Sequence, residues 1–331
     1  MFGIATWRAL RRRGVMGINQ RNGDYVLMYN DRRLYPLVDD KIRTKNMALE
    51  AGIQVPDMYG IIDTEQGISQ LEHIVETHGD FVIKPSQGAG GDGILVISDR
   101  FEGYYRSASG RMISPEELEF HISGIISGLY SLGGHRDRAL IEYRVRSTDL
   151  FDRISIGGVP DVRIIVLQGY PVAAMLRLPT RQSDGKANLH QGAIGVGVDI
   201  ATGVTLSGTW HNLKIDRHPD TAHPVAGVQV PDWDQCLALA ARCYDLTGLG
   251  YLGVDLVMDK HKGPLMLELN ARPGLNIQIA NDDGLLRRCR LIEDHLEARG
   301  DGAGTEEAAA RVALSRRLFA VPDLPEAPSP P

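Results

Sequence analysis

Two acids and an amide stand in apolar, strand-like runs: Asp255 in "GVDLVMD", and Glu268 with Asn270 in "LMLELN". Strand side chains repeat every two residues, so Glu268 and Asn270 share a face. The link between the runs is short and carries Gly263, which lets the strands pair antiparallel. If Asp255 projects onto the same face, three oxygen-bearing side chains converge. Two carboxylates on an apolar face are costly unless a cation lies between them. Hard oxygens in so small a protein set suit Mg²⁺, which keeps waters and shares phosphate oxygens with a nucleotide. Read alone, the same pair could equally turn its acids to solvent.

A nucleotide tail also needs cations and amides. "KPSQGAGGDGI" supplies both: Lys84 ends a strand, and Gly88, Gly90, Gly91 and Gly93 let backbone N–H groups come close to phosphate oxygens. The loop is not a Walker A sequence, since no Gly-Lys-Ser/Thr closes it. By itself it also fits a tight hairpin.

These residues must be held by surrounding elements. The pattern predicts a helix from Asp39 or Asp40, stopped by Gly52, and another through "TEQGISQLEHIVETHG", closed by Gly79. A helix opens at Pro115, and strong helices cover 232–248 and the stretch "GLLRRCRLIEDHLEARG". Strand signals fall in "DFVIK", "GILVIS", "RALIEYRV", "DVRIIVLQG", "PVAAMLRLP" and "GAIGVGVDIATGVTL". "GYYRSASGRMIS" reads as a hairpin turning at Ser109-Gly110, and "YVLMYNDRRLYPLV" as a second hairpin. Strands mixed with helices and joined by hairpin-like links indicate an α+β architecture, not a doubly wound parallel sheet. The tail beyond Gly300 is rich in Ala, Glu and Pro, and is expected to be disordered.

The chain has 331 residues, 43% hydrophobic, with a formal charge of −6. That is enough for a sizeable core. It gives no reason to expect nucleic acid as a partner. No apolar run spans a membrane, and "MFGIATWRALRRRG" has no secretory core, so a cytoplasmic location is expected. Arg11, Arg12 and Arg13 read as a solvated helix end, with an acidic surface as the alternative. Cys236, Cys243 and Cys289 have no metal-ligand or redox spacing and read as core residues. His190 reads as a structural histidine, and His218 and His223 as loop residues.

Seven blocks, in order between residues 39 and 280, carry a resemblance: "DKIRTK", "FVIKPSQGAGGDGI", "LIEYRV", "PDVRIIVLQG", "KANLHQGA", "GVDLVMD" and "LMLELNARPGL". Together they resemble the ATP-grasp superfamily, and within it the ribosomal-modification-type α-L-glutamate ligases. The resemblance implies two α+β subdomains with the nucleotide between their sheets. It places the first subdomain at 39–145 and the second, with the metal site, at 146–300, after an N-terminal extension over 1–38 and before a tail over 301–331. It implies that Lys41 and Lys84 bind the nucleotide phosphates with Gly88, Gly90 and Gly91, and that Glu142 and Tyr143 lie at the adenine hinge. Asp161 would lie near the nucleotide, and Lys186 and Asn188 would reach phosphate or ribose. Asp255, Glu268 and Asn270 would hold one or two Mg²⁺, with Mn²⁺ as an alternative. Arg163 would face the transferred phosphoryl group, and Arg272 would grip a substrate carboxylate or acyl phosphate.

The activity implied is ATP-dependent ligation of a small-molecule or peptide carboxylate to an amine, with glutamate as the family-level substrate. A hydroxyl kinase on the same fold and a non-catalytic ATP-binding protein are the alternatives. One departure stands out. Such ligases carry a further domain ahead of the first lysine, whereas forty residues precede Lys41 here. A second subunit or partner protein is a candidate for the missing wall of the pocket. The segment from Gly17 to Lys41 instead resembles a group described as glutamate-ligase-related.

Overall fold

The structure, a computed structural model, describes residues 8–88, 90–131, 133–300, 306–322 and 324. The chain divides into two compact units, one of residues 39–146 and one of residues up to 38 together with 147 onward. Both are α+β, each built on one sheet with antiparallel pairing throughout. No helix among the described residues is long and apolar enough to cross a membrane.

The smaller unit opens with α1 (Lys41–Glu50), capped by the Asp40 carboxylate, which accepts from the Ile42 and Arg43 N–H groups. Its sheet contains β1 (Met58–Ile62), β2 (Phe81–Pro85), β3 (Leu95–Phe101), β4 (Tyr104–Ser107), β5 (Met112–Ile113) and β6 (Ala139–Glu142), in the order β1-β6-β2-β3-β4-β5. One face buries Phe81, Ile83, Ile97, Tyr105 and Ile141 against α2 (Pro115–Ile126), which brings Leu118, Ile122 and Ile125. That spacing is helical, and Ser114 with Glu117 forms a complete capping box ahead of it. The long helix expected after Thr64 is only a 3₁₀ turn, Glu65–Gln70, and one α turn, Leu71–Ile74. Ile68, Leu71 and Val75 keep helical spacing in the core, but the Thr64 side chain caps the tight turn at the Gly67 N–H.

The larger unit holds β7 (Asp161–Leu167), β8 (Tyr170–Leu178), β9 (Ile194–Val198), β10 (Thr205–Trp210), β11 (Leu213–Ile215), β12 (Tyr251–Asp259) and β13 (Gly263–Asn270), in the order β11-β10-β9-β8-β7-β12-β13. Every residue of β12 is buried. One face packs on α3 (Trp233–Thr247): Cys236 Sγ lies 3.6 Å from Met258 Sδ and Cys243 Sγ 3.7 Å from Met266 Sδ. Burial pushes both thiols up to about 12, in keeping with core residues. The other face carries α4 (Ile277–Asn281), followed by α5 (Leu285–Arg299).

Two expectations are corrected here. The stretch expected as a hairpin at residues 25–38 is helical: Arg21–Val26 and Leu27–Tyr29 continue a turn begun at Ile18–Gln20, and Arg32–Leu34 and Pro36–Asp39 follow. Tyr25 and Tyr29, four apart, both donate to Glu293 on α5, so tertiary contacts override the strand preference of "YVLMY". The tail is not wholly irregular either, because α6 spans Ala308–Phe319. Arg311, Ser315 and Phe319 recur every four residues and are buried, and Arg311 makes a bidentate ion pair with Asp245 on α3. Of the Pro-rich end "PDLPEAPSPP", Asp323 and residues 325–331 lie outside the described residues.

Candidate functional site

In the larger unit the acids and arginines meet on one sheet face. Asp255 pairs in register with Glu268 on β13 and with Arg163 on β7. A β-bulge decides the face of Glu268. Asp255 stands opposite Glu268, yet Leu256 stands opposite Met266, leaving Leu267 as the extra residue. Met266 therefore turns to α3, while Glu268, two residues on, turns to the opposite face with Asp255. Asn270 follows on that face, its Nδ2 3.4 Å from Asp255 Oδ2 and 3.3 Å from Glu268 Oε1.

The fully buried Asp255 carboxylate accepts from Arg163 Nε at 2.6 Å and is bridged again by Arg163 Nη2. Arg177, on β8, donates to Asp255 Oδ2 at 2.8 Å and holds Asp161 in a two-pronged pair. Burial works to raise the Asp255 carboxyl, but the two guanidiniums outweigh it and hold the group well below the usual carboxylate range. Asp161 moves the other way: burial, with Asp255 sharing its arginine, raises it. Arg177 was not singled out from the sequence. Its signal was an arginine inside the apolar run "PVAAMLRLP".

Three carboxylates, Asp161, Asp255 and Glu268, thus face two guanidiniums, an excess of one negative charge. Turning the Asn270 amide over would present its oxygen in place of its nitrogen. The donor set fits a hard divalent cation. Among the described residues no group of three His, Cys, Asp or Glu side chains is placed to hold a metal ion, and a site here would count the Asn270 amide as its third ligand.

Other expected residues of this unit make contacts of their own. The Arg272 guanidinium rests over the Tyr35 ring, 4.8 Å from its centroid, and Arg21 donates to the Pro273 carbonyl beside it. Lys186 and Asn188 lie in the loop between β8 and β9, where the Asn188 side chain caps the 3₁₀ turn Leu189–Gln191 by accepting from His190 N–H. His218 is buried: its Nε2 meets the Pro179 carbonyl, and its Nδ1 accepts from the Asp220 and Thr221 N–H groups.

In the smaller unit the buried Glu142 carboxylate lies 2.6 Å from Lys84 Nζ and 2.7 Å from Lys45 Nζ. Burial works against its ionisation, but the two ammoniums prevail and lower its pKa. Lys45 is depressed to about 8, chiefly by burial, and the neighbouring Lys84 adds to the effect while Glu142 opposes it. Lys45 was missed in the sequence. It sits one helical turn after Lys41, and its position in "DKIRTK" was the available signal. Lys41 instead reaches the glycine loop, donating to the Gly88 carbonyl at 2.5 Å. A Cβ at Gly88 would come within 2.3 Å of Pro85, so only glycine fits that approach. Gly90 and Gly91 follow with positive φ. The Tyr143 N–H is committed to the Asp57 carbonyl at 2.8 Å.

The two antiparallel sheets with their helices, and these charged clusters on them, define an ATP-grasp protein. The model of one family, described as "Sugar-transfer associated ATP-grasp", matches residues 20–294, and the chain belongs to that family. No curated protein matches the chain. Among solved structures it is similar to the ATP-grasp ligase PsnB complexed with minimal precursor, at 15% identity over 80% of this chain and 62% of that one, with a TM-score of 0.43. D-cycloserine synthetase DcsG is similar at 16% identity, over 81% of this chain and 73% of that one, TM-score 0.45. So is a RiPP-associated ATP-grasp ligase of Chryseobacterium gregarium in complex with ADP and a leader and core peptide, at 13% identity, 84% and 65% coverage and TM-score 0.45. The chain spans less than two thirds of the length of PsnB.

Proposed function

We propose that the protein is an ATP-dependent carboxylate–amine ligase. The observation that carries this reading is the same-face cluster in which Asp255, Glu268 and Asn270 stand together beside Arg163 and Arg177. Family membership supports ATP as the cosubstrate. In this reading Asp255, Glu268 and Asn270 hold one or two Mg²⁺. When bound, the ion neutralises charge developing on the phosphoryl oxygens. Lys41, Lys84 and the N–H groups around Gly88, Gly90 and Gly91 bind phosphate oxygens. Glu142 keeps Lys45 and Lys84 charged and oriented. Glu142 and Tyr143 border the adenine, and Lys186 and Asn188 meet ribose or phosphate. Asp161 fixes Arg177 and, through it, Asp255. Arg163 steadies the transferred phosphoryl group, and Arg272 takes a substrate carboxylate. The unit spanning 39–146 supplies phosphate recognition and the larger unit supplies the metal site.

The chemistry is positioning plus electrostatics. A substrate carboxylate oxygen attacks the γ-phosphorus and the bond to the β-phosphate bridging oxygen breaks, giving an acyl phosphate and ADP. An amine nitrogen then attacks the acyl carbon, loses a proton, and expels inorganic phosphate. Glutamate is one candidate acid or amine, and peptides are another class. The test is ADP release with Mg²⁺ over paired acids and amines, with hydroxylamine added in a parallel set. Hydroxamate formation supports the acyl phosphate. ADP release with a phosphate ester and no hydroxamate would make the protein a hydroxyl kinase instead.

A further inference from the structure

We infer that the cleft beside the charged cluster of the larger unit binds an uncharged, hydroxyl-rich group of the substrate, about one monosaccharide unit in size. The inference rests on the ligase reading only in taking the occupant for a substrate, and it leaves open which atom of that occupant reacts.

The strand register sets the place. Thr209 on β10 lies opposite Gly195 on β9, Gly195 opposite Arg177 on β8, and Arg177 opposite Asp161 on β7. Residues directly opposite one another share a face, so Thr209 looks out on the same side as the charged cluster. Two strand spacings separate it from Arg177, about 10 Å. Between them Leu189 and Ala280 pack over Gly195, where a Cβ would come within 2.8 Å of Leu189, and so wall the cleft off from the charged cluster.

The cleft has a volume of 240 Å³, about eight waters' share of liquid. Its polar lining is His190, Thr209, His211, Asn212 and Asn276. Leu189, Ala193 and Ile279 supply apolar surface. No Asp, Glu, Lys or Arg lines it among the described residues. A free amino acid brings an ammonium and a carboxylate, and a phosphate brings more charge. Either would lose hydration here without gaining a counter-ion. An aliphatic chain would strip water from five polar side chains and return no hydrogen bonds. A ring bearing several hydroxyls matches both the polar groups and the apolar surface.

Thr209 gives the independent sign of a ligand. It is only 5% exposed, and its Oγ1 has no hydrogen-bond partner. A buried hydroxyl left unpaired costs about 1–3 kcal/mol, a cost that a ligand hydroxyl would remove. Across the cleft, His211 and Asn212 form the β10–β11 turn with both residues in the left-handed region, at φ 49° and 64°. His211 Nε2 is held 3.0 Å from Gln182 Oε1. Non-glycine residues keep such backbone at some energetic cost, a pattern common at binding sites.

The experiment is titration calorimetry of the full chain with methyl α-D-glucopyranoside and N-acetylglucosamine, with L-glutamate as the charged comparator and ATP·Mg²⁺ measured separately. At least one hydroxylated probe should bind saturably and glutamate should not displace it. Thr209→Val, which keeps shape and removes the hydroxyl, should weaken that probe at least fivefold, and Thr209→Ser should restore it. Asn276→Ala, at a helix start where the side chain makes no capping bond, should weaken it independently of any folding effect at Thr209. ATP·Mg²⁺ affinity should be unchanged in each variant. Failure of every hydroxylated probe to bind, displacement by glutamate, or binding indifferent to both positions would overturn the proposal. Loss of ATP·Mg²⁺ binding in the unaltered protein, with Thr209-sensitive sugar binding retained, would sink the ligase reading alone.

Discussion

Asp255 and Glu268 face each other across β12 and β13 because the sheet carries an extra residue at Leu267. Without that bulge Glu268 would share a face with Met266 and point at α3. With it, the two acids stand together on the face that also holds Arg163 and Arg177. The sheet thereby keeps an apolar side against α3 and gathers its charges on the other.

The metal reading predicts that Glu268→Gln lowers Mg²⁺-dependent ATP affinity by about 100-fold or more, since even outer-sphere partners cost about 10–100-fold. Glu268 is only half-buried, so the fold should survive. An unchanged magnesium dependence in calorimetry would refute the assignment.

Arg177 is the shared counter-ion of Asp161 and Asp255, all three with little exposure. Arg177→Met should destabilise the protein by about 3–5 kcal/mol, because it leaves buried carboxylate unpaired. Urea unfolding measures the loss, and Arg177→Lys should recover only part, having no fork to span two acids.

Glu142 separates two buried ammoniums. Glu142→Gln should cost about 3–5 kcal/mol by leaving Lys45 and Lys84 without their counter-charge. The double variant Glu142→Gln with Lys45→Met should be more stable than the single one. Finding the two equal in thermal melts would mean that the cluster is not coupled as described.

His218 is kept neutral: burial lowers its pKa, although the Pro179 carbonyl and Asp220 pull upward, and His223 adds to the lowering. The folded form therefore binds fewer protons than the unfolded chain, whose histidine titrates near 6.5. This contribution to stability is complete above about pH 6.5 and declines as the pH falls below it. Urea midpoints from pH 8 to pH 5 should drop for the unaltered protein and drop less for His218→Gln.

α6 closes over the larger unit with Phe319, only 4% exposed, at its end. Phe319→Ala should cost about 3 kcal/mol, the low end for a buried phenylalanine. A melting temperature unchanged by that substitution would show that the helix adds nothing to stability.

Much of the candidate site is legible in the sequence. The capped helices at Lys41–Glu50 and Pro115–Ile126, the glycine loop after Lys84, and the two acid-bearing strands all follow from local rules of capping, periodicity and backbone freedom. Those rules act within a few residues, so the sequence carries them by itself. The helical N-terminal segment depended on Glu293, far along the chain, and α6 on Asp245. Neither partner can be identified from neighbouring residues.

The sequence alone determined which hard oxygens, ammoniums and guanidiniums the protein has, and on which kind of element each sits. Tertiary structure decided their partners: the bulge that turned Glu268 to Asp255, the β7–β8 pairing that gave Arg177 to Asp161, and the fold-back that set Lys45 against Glu142. The reason is physical. Propensity is a property of short segments, whereas register and ion pairing arise only when strands distant in the chain become neighbours and buried charges must find a counter-charge.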